Sequence, residues 1–279
     1  MNRTFASTCF IAGAAFLPGC DDRSQSATTP GRSSANSNSA TGSTAFPPLP
    51  ESKLIEATYA ALGVLIPPLT VRVRRGSLNI AGFPVESKQA IAMWKKLREL
   101  TDATGFYPMV FRDDNHLQKD ILSELDDGSD PAEILRLAQD VNVPEWFAGR
   151  MNEVMGDTAE SGYEGPPREP GATCKATTKF TVPFDILTGR PVEGVFILLV
   201  PTRQGYEVPA YLGFGGWNEC PDPVEHVAIL KYWHESYGAE PVTFAGDTLE
   251  LLVPAAVQSE EGAMALAMEQ YFYCMDIVD

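Results

Sequence analysis

Residues 23–50 contain seven Ser and four Thr in 28 positions, with Arg23 and Arg32 as the only charges. No other feature limits so firmly what the chain can fold into. The stretch carries too little apolar surface to offset the entropy of ordering it. It therefore predicts a disordered tether, with a root-mean-square reach of roughly 30 Å. Phe46-Pro47-Pro48-Leu49-Pro50 stiffens its end and marks a boundary. The folded part is then the 229 residues from 51 to 279. With 44% of the chain hydrophobic, these suffice for one sizeable core or two small ones. Self-similarity at a period of 20–50 residues is missing, which excludes a solenoid.

Residues 1–20 have the texture of an export signal. Arg3 supplies positive charge, residues 5–16 are apolar and uncharged, and Leu17-Pro18-Gly19-Cys20 follows. The segment is too short to span a bilayer and is of the kind removed after export. Its last four residues resemble the lipobox of bacterial lipoproteins, although Pro18 departs from the usual small or aliphatic residue. The resemblance implies that Cys20 becomes a lipidated N-terminus. Each buried methylene contributes about 0.8 kcal/mol, so two or three acyl chains anchor stably. The expected location is extracytoplasmic, on a membrane of the bacterial cell envelope, inner or outer. The expected organisation is signal 1–19, lipidated Cys20 and tether 20–50, an N-terminal half 51–174 and a C-terminal half 175–279.

Within the N-terminal half, Ser52 is placed to cap a helix to about residue 65, with Ile55, Tyr59, Leu62 and Ile66 on one face. Residues 70–74 and 78–83 alternate across Gly76-Ser77 and predict a hairpin. Residues 86–100 predict a helix burying Ile91, Trp94 and Leu97, and residues 106–111 a strand. Asp130-Pro131-Ala132-Glu133 has the cap, proline and acid of a helix start. Residues 152–174 suggest a long exposed loop.

Beyond Lys175 the pattern predicts strands at 176–184, 194–200 and 206–214. A helix follows at 223–237, then strands at 241–244 and 248–253 and a helix from Ser259 to about residue 273. The fold class expected is α+β, a mixed sheet with packed helices and a ββαββα C-terminal half.

The runs YLGFGGWNEC (211–220) and KYWHESYGAEPV (231–242), with residues 246–251 and 271–278, resemble the family catalogued as domain of unknown function 4253. A weaker likeness lies in AMWKKLRELTDATGFYP (92–108). Met275 stands where that family's pattern has proline after the Tyr-Cys pair. The resemblance carries no activity.

Antiparallel helices at 223–237 and 259–273 would bring the start of the first beside the end of the second. Trp217, Asn218, Cys220, Asp222 and His226 would then share one end with Glu269, Tyr273, Cys274 and Asp276. Four readings of that cluster stay open. Asn218 and Asp222 cap while the aromatics and thiols pack. Cys220 and Cys274 form a disulfide in an oxidising compartment, leaving Cys174 over. Cys220, His226 and Cys274 hold a metal with Asp222 or Asp276, against which the Cys-x5-His spacing speaks; no metal is expected. Or Cys220 and His226 do thiol chemistry. Gly213-Phe214-Gly215-Gly216 lacks the Lys of a phosphate loop and suits a strand end, so no cofactor is expected.

Charge adds a partner class. With 21 Lys+Arg against 37 Asp+Glu, net -16 and pI near 4.6, nucleic acid and anionic lipid surfaces are excluded as electrostatic partners. From Gln204 onward Lys231 is the single base among thirteen acids. Acidic surfaces favour solubility, and they also steer cationic partners. The leading expectation is a membrane-tethered binding module, with a basic protein or peptide as partner and its acids, Asp222, Glu225 and Glu235 included, gathered round a cleft. The alternative is an envelope hydrolase or thiol enzyme using Cys220, His226 and Glu269.

Overall fold

The computed structural model describes residues 50–63, 65–112, 130–161, 180–185, 187–217, 220–244, 248–254, 257 and 259–274. The signal, Cys20, the tether, Cys174, Asn218 and Asp276 lie outside them. Among the described residues no helix is long and apolar enough to cross a membrane.

The fold is α+β and is organised around one strand. β4 (Val195–Val200), sequence VFILLV, is buried at every position. Such an unbroken apolar run suits a strand with partners on both edges and cover on both faces. It pairs antiparallel with β2 (Leu78–Pro84) on one edge and with β3 (Tyr107–Arg112) on the other. β1 (Thr70–Arg75) completes the sheet in the order β1-β2-β4-β3. β1 is an edge strand, and exposed Arg74 discourages further pairing there, while Arg75 turns inward and donates to Ala210 O. Every pairing among the described residues is antiparallel, where the sequence suggested a mixed sheet. Three strands precede residue 113 and the fourth lies in the C-terminal half, so the two halves share one sheet.

Helix α2 (Ser87–Glu99) packs across β3 and β4 through Trp94 and Leu97, as its periodicity predicts. The Trp94 indole donates to Pro108 O at 2.9 Å, satisfying its one polar atom inside the core. α1 (Glu51–Leu62) starts after Pro50 without a side-chain cap, and it buries Leu54 and Thr58 while Tyr59 is exposed. Ser52 therefore lies inside the helix, not at its cap. α3 (Thr101–Thr104) is a single turn before β3. α4 (Pro131–Leu137) is capped by Asp130, which accepts from Ala132 N–H; Glu133 instead pairs with Arg136.

Two stretches differ from expectation. α5 (Val143–Ser161) occupies ten residues of the expected loop. Its start is marked by Asn142, whose side chain accepts from Glu145 N–H at 3.4 Å, and by Pro144 in the first turn. Residues 205–212 are not a strand but a 3-10 turn leading into α6 (Val208–Leu212). Pro209 decides it: a proline lacks the donor a central strand needs, yet fits the first turn of a helix. Gly213, at φ 65°, ends α6. Residues 180–184 likewise form a turn with one bridge, Phe184 to Pro191. Glu250, fully buried, accepts from Thr181 N–H, Thr181 Oγ1 and Val182 N–H there. The C-terminal half thus runs β4, α6, α7 (Pro223–Tyr237), β5 (Glu240–Phe244), β6 (Leu249–Leu252) and α8 (Glu260–Tyr273). Tyr107 Oη donates to Pro241 O at 2.9 Å and ties β5 to β3.

Gly82 sits in β2 where a Cβ would come within 2.4 Å of Ile197 O in β4. Gly82→Ala must push the central pair apart, and overpacking of that kind costs about 2–3 kcal/mol. Urea unfolding should show a lower midpoint with an unchanged slope.

Candidate functional site

The helix layer builds the site. After Gly213, Phe214 turns inward and packs on Phe244, Trp217 and the His226 ring, with centroids 4.8–5.1 Å apart. Gly215 follows at φ 120°, and a Cβ there would stand 2.5 Å from His226 Cδ2 and 2.2 Å from Pro221 O. Only glycine lets the backbone pass this close to the imidazole. The expected strand end is thus a helix terminus and a passage. Asp222 and Glu225 form a reciprocal capping box at the start of α7, with Pro223 at the first position.

His226 lies one turn into α7 and is 1% exposed. Its Nε2 is 3.2 Å from Cys220 Sγ, and its Nδ1 is 2.5 Å from Tyr273 Oη at the end of α8. Three residues from two helices and a loop thus form one hydrogen-bonded chain. Burial pushes the imidazole down to about 3. Burial, with the neighbouring Cys274 adding to it and the Gly216 N–H opposing, pushes the Cys220 thiol up to about 12. Both are uncharged at neutral pH.

Cys220 opens onto a cleft of about 380 Å³ lined by Glu145, Trp146, Arg150, Glu153 and Glu225 among others. Trp146 Nε1 donates to Glu225 Oε1 at 2.6 Å, and the Arg150 guanidinium lies 5.9 Å from the Trp146 ring centroid. Arg150 also pairs with Glu153 at 3.1 Å. A larger depression of about 590 Å³, between Glu86–Lys88 and Pro191–Gly194, holds no comparable cluster.

The expected end-to-end meeting of α7 and α8 is present, reached without the strand once assigned to 206–214. It brings together Cys220, His226 and Tyr273. Cys220 and Cys274 are free thiols, not a disulfide. Among the described residues no three of His, Cys, Asp and Glu are arranged to hold a metal ion. Asp222 caps and Trp217 packs. Glu269 is displaced from the cluster: it accepts from Tyr232 Oη at 2.8 Å and Trp233 Nε1 at 2.9 Å, further along α7. The residues sequence reasoning missed are Glu145, Trp146, Arg150 and Glu153, all on α5.

Residues 196–279 match the family described as a domain of unknown function (DUF4253). The DUF4253 segment holds Cys220, His226 and Tyr273, whereas the α5 wall of the cleft lies before it. No curated protein and no solved structure matches the chain.

The unfolded chain takes up a proton on His226 near 6.5, and the folded one only near 3. The stability this residue supports is whole above pH 6.5 and declines as pH falls towards 3, by about 1.4 kcal/mol per unit. Comparing wild type with His226→Gln by denaturant titration at pH 7.5 and 5 should show the gap between them shrinking by about 2 kcal/mol.

Proposed function

We propose that the cleft beside Cys220 binds a cationic group, a Lys or Arg side chain of a protein or peptide, in a domain tethered to a bacterial membrane through lipidated Cys20. The observation that carries the binding reading is the lining: three carboxylates, Glu145, Glu153 and Glu225, against one guanidinium, around an indole. A cation near an aromatic face gains about 0.5–2 kcal/mol, more as water is excluded. Arg150 already takes that place over the Trp146 ring, so an incoming cation is met chiefly by the carboxylates beside it.

Two of the three cleft carboxylates come from α5, and most of the C-terminal excess lies elsewhere. Asp222 and Glu225 close the capping box, Glu240 pairs with Arg98, and Glu207 accepts from Thr202. Glu250 and Glu269 are held by the donors named above. Amide substitutions at Asp222 and Glu225 would therefore disturb the helix as well as any partner. Glu145 and Glu153 are the better probes, both being exposed.

An acetylated Arg-rich peptide should bind the mature chain with an affinity that falls as salt rises. Glu145→Gln with Glu153→Gln should weaken it about tenfold, read by calorimetry, with the melting temperature little changed. Equal affinity in both proteins would leave the charge a solubility feature. Replacing Cys20 by Ser should move the protein from the detergent to the aqueous phase in a partitioning assay; unchanged partitioning would end the lipid-anchor reading.

A further inference from the structure

We propose that Cys220, His226 and Tyr273 form an acyl-transfer centre that cleaves an ester or thioester bond in a substrate held in the cleft. The preference for a cationic substrate rests on the binding reading above; the chemistry does not.

Geometry comes first. A thiol facing a cleft, an imidazole nitrogen 3.2 Å from it and a third group on the other ring nitrogen are nucleophile, base and orienter. The surroundings supply an independent argument. The imidazole is enclosed by Phe214 and Tyr273, where a polar ring is tolerated only because Cys220 and Tyr273 satisfy its two nitrogens. The backbone is bent through Gly215 to admit it. Arg150 lines the same cleft as Cys220, where a carbonyl oxygen gaining negative charge could meet a cation.

With both groups neutral, the proton must move as the bond forms. Cys220 Sγ bonds to the acyl carbon, its proton passes to His226 Nε2, and the carbonyl π pair moves to oxygen. The carbonyl then re-forms, the bond to the leaving alcohol or thiol breaks, and that group takes the proton from Nε2. Water attacks the acyl-Cys220 thioester, giving a proton to Nε2, and the Cys220 sulfur leaves and takes it back. The balance is ester plus water to acid plus alcohol. Among the described residues no carboxylate meets the buried imidazolium, so leaving groups that need little protonation are favoured. That selects esters and thioesters over amides.

The rate should be flat from about pH 6 to about pH 9, since His226 must be neutral and Cys220 protonated. A free-thiolate route would instead climb about tenfold per pH unit. Among the described residues, the groups facing this pair are Tyr273 and Phe214 on His226, and Cys274, Glu225, Arg150, Glu145 and Glu153 round Cys220 and the cleft.

The test uses the full chain with the p-nitrophenyl esters of Nα-acetyl-lysine and of Nα-acetyl-norleucine, which keeps the aliphatic stem and lacks the ammonium. Expected are an acyl adduct on Cys220 by intact mass and turnover at least about 100-fold above Cys220→Ala. Tyr273→Phe keeps the ring and removes the hydroxyl, so as a positioning change it should lower kcat about tenfold with KM held. Equal turnover in wild type and Cys220→Ala, an unmodified Cys220 with both esters, or a rate that climbs with pH overturns the proposal. Adducts formed equally with both esters support the chemistry and overturn the cationic reading. Binding of the Arg-rich peptide with no adduct from either ester does the reverse.

Discussion

The hydrogen bond between Tyr273 and His226 Nδ1 is the contact on which the helix layer depends. It joins the start of α7 to the end of α8 inside an apolar wall, where the Trp233 ring also packs tilted against Tyr273, centroids 5.0 Å apart. Apolar surfaces alone slide past one another at small cost. A buried polar pair does not, because any slip leaves both partners unsatisfied, at about 1–3 kcal/mol each. Glu269 repeats the device further along, taking two donors from α7. Two polar links thus set the relation of the helices, and the first also carries the candidate chemistry.

Much of this was legible in the residues. Pro223 after Asp222, with Glu225 three positions beyond the cap, announced α7 to within its observed bounds, and Ser259 announced α8. The hairpin at Gly76-Ser77 and the Trp94 stripe were equally plain. Stretches that went astray had local preference set against tertiary context. Val208, Tyr211 and their neighbours favour extension on side-chain grounds, but Pro209 and the buried face made a helix. α5 was obscured by the Gly and Glu of its later turns, although Asn142-Val143-Pro144-Glu145 is a start signal of the same kind as Asp130-Pro131. Missing α5 meant missing the wall of the cleft.

The acidic excess shows how a bulk property misleads about location. Net charge does not distinguish a carboxylate facing water from one folded inward. Glu250 is fully buried and Glu240, at the start of β5, is paired with Arg98, so neither contributes a free exposed charge. Burial raises the protonation range of Glu250 and Glu207, which makes them polar struts as much as charges.

The place of β4 has a consequence for how the chain acquires its structure. β2 and β3 are made long before β4, yet each must wait for it to gain a partner on its inner edge. A growing chain cannot close the sheet until residue 200 is available, more than eighty residues after β3 ends. Until then two strand edges stand open, the condition in which chains pair with the wrong neighbour. The high contact order of this sheet slows folding, and a fragment limited to the DUF4253 segment would carry β4 without either partner.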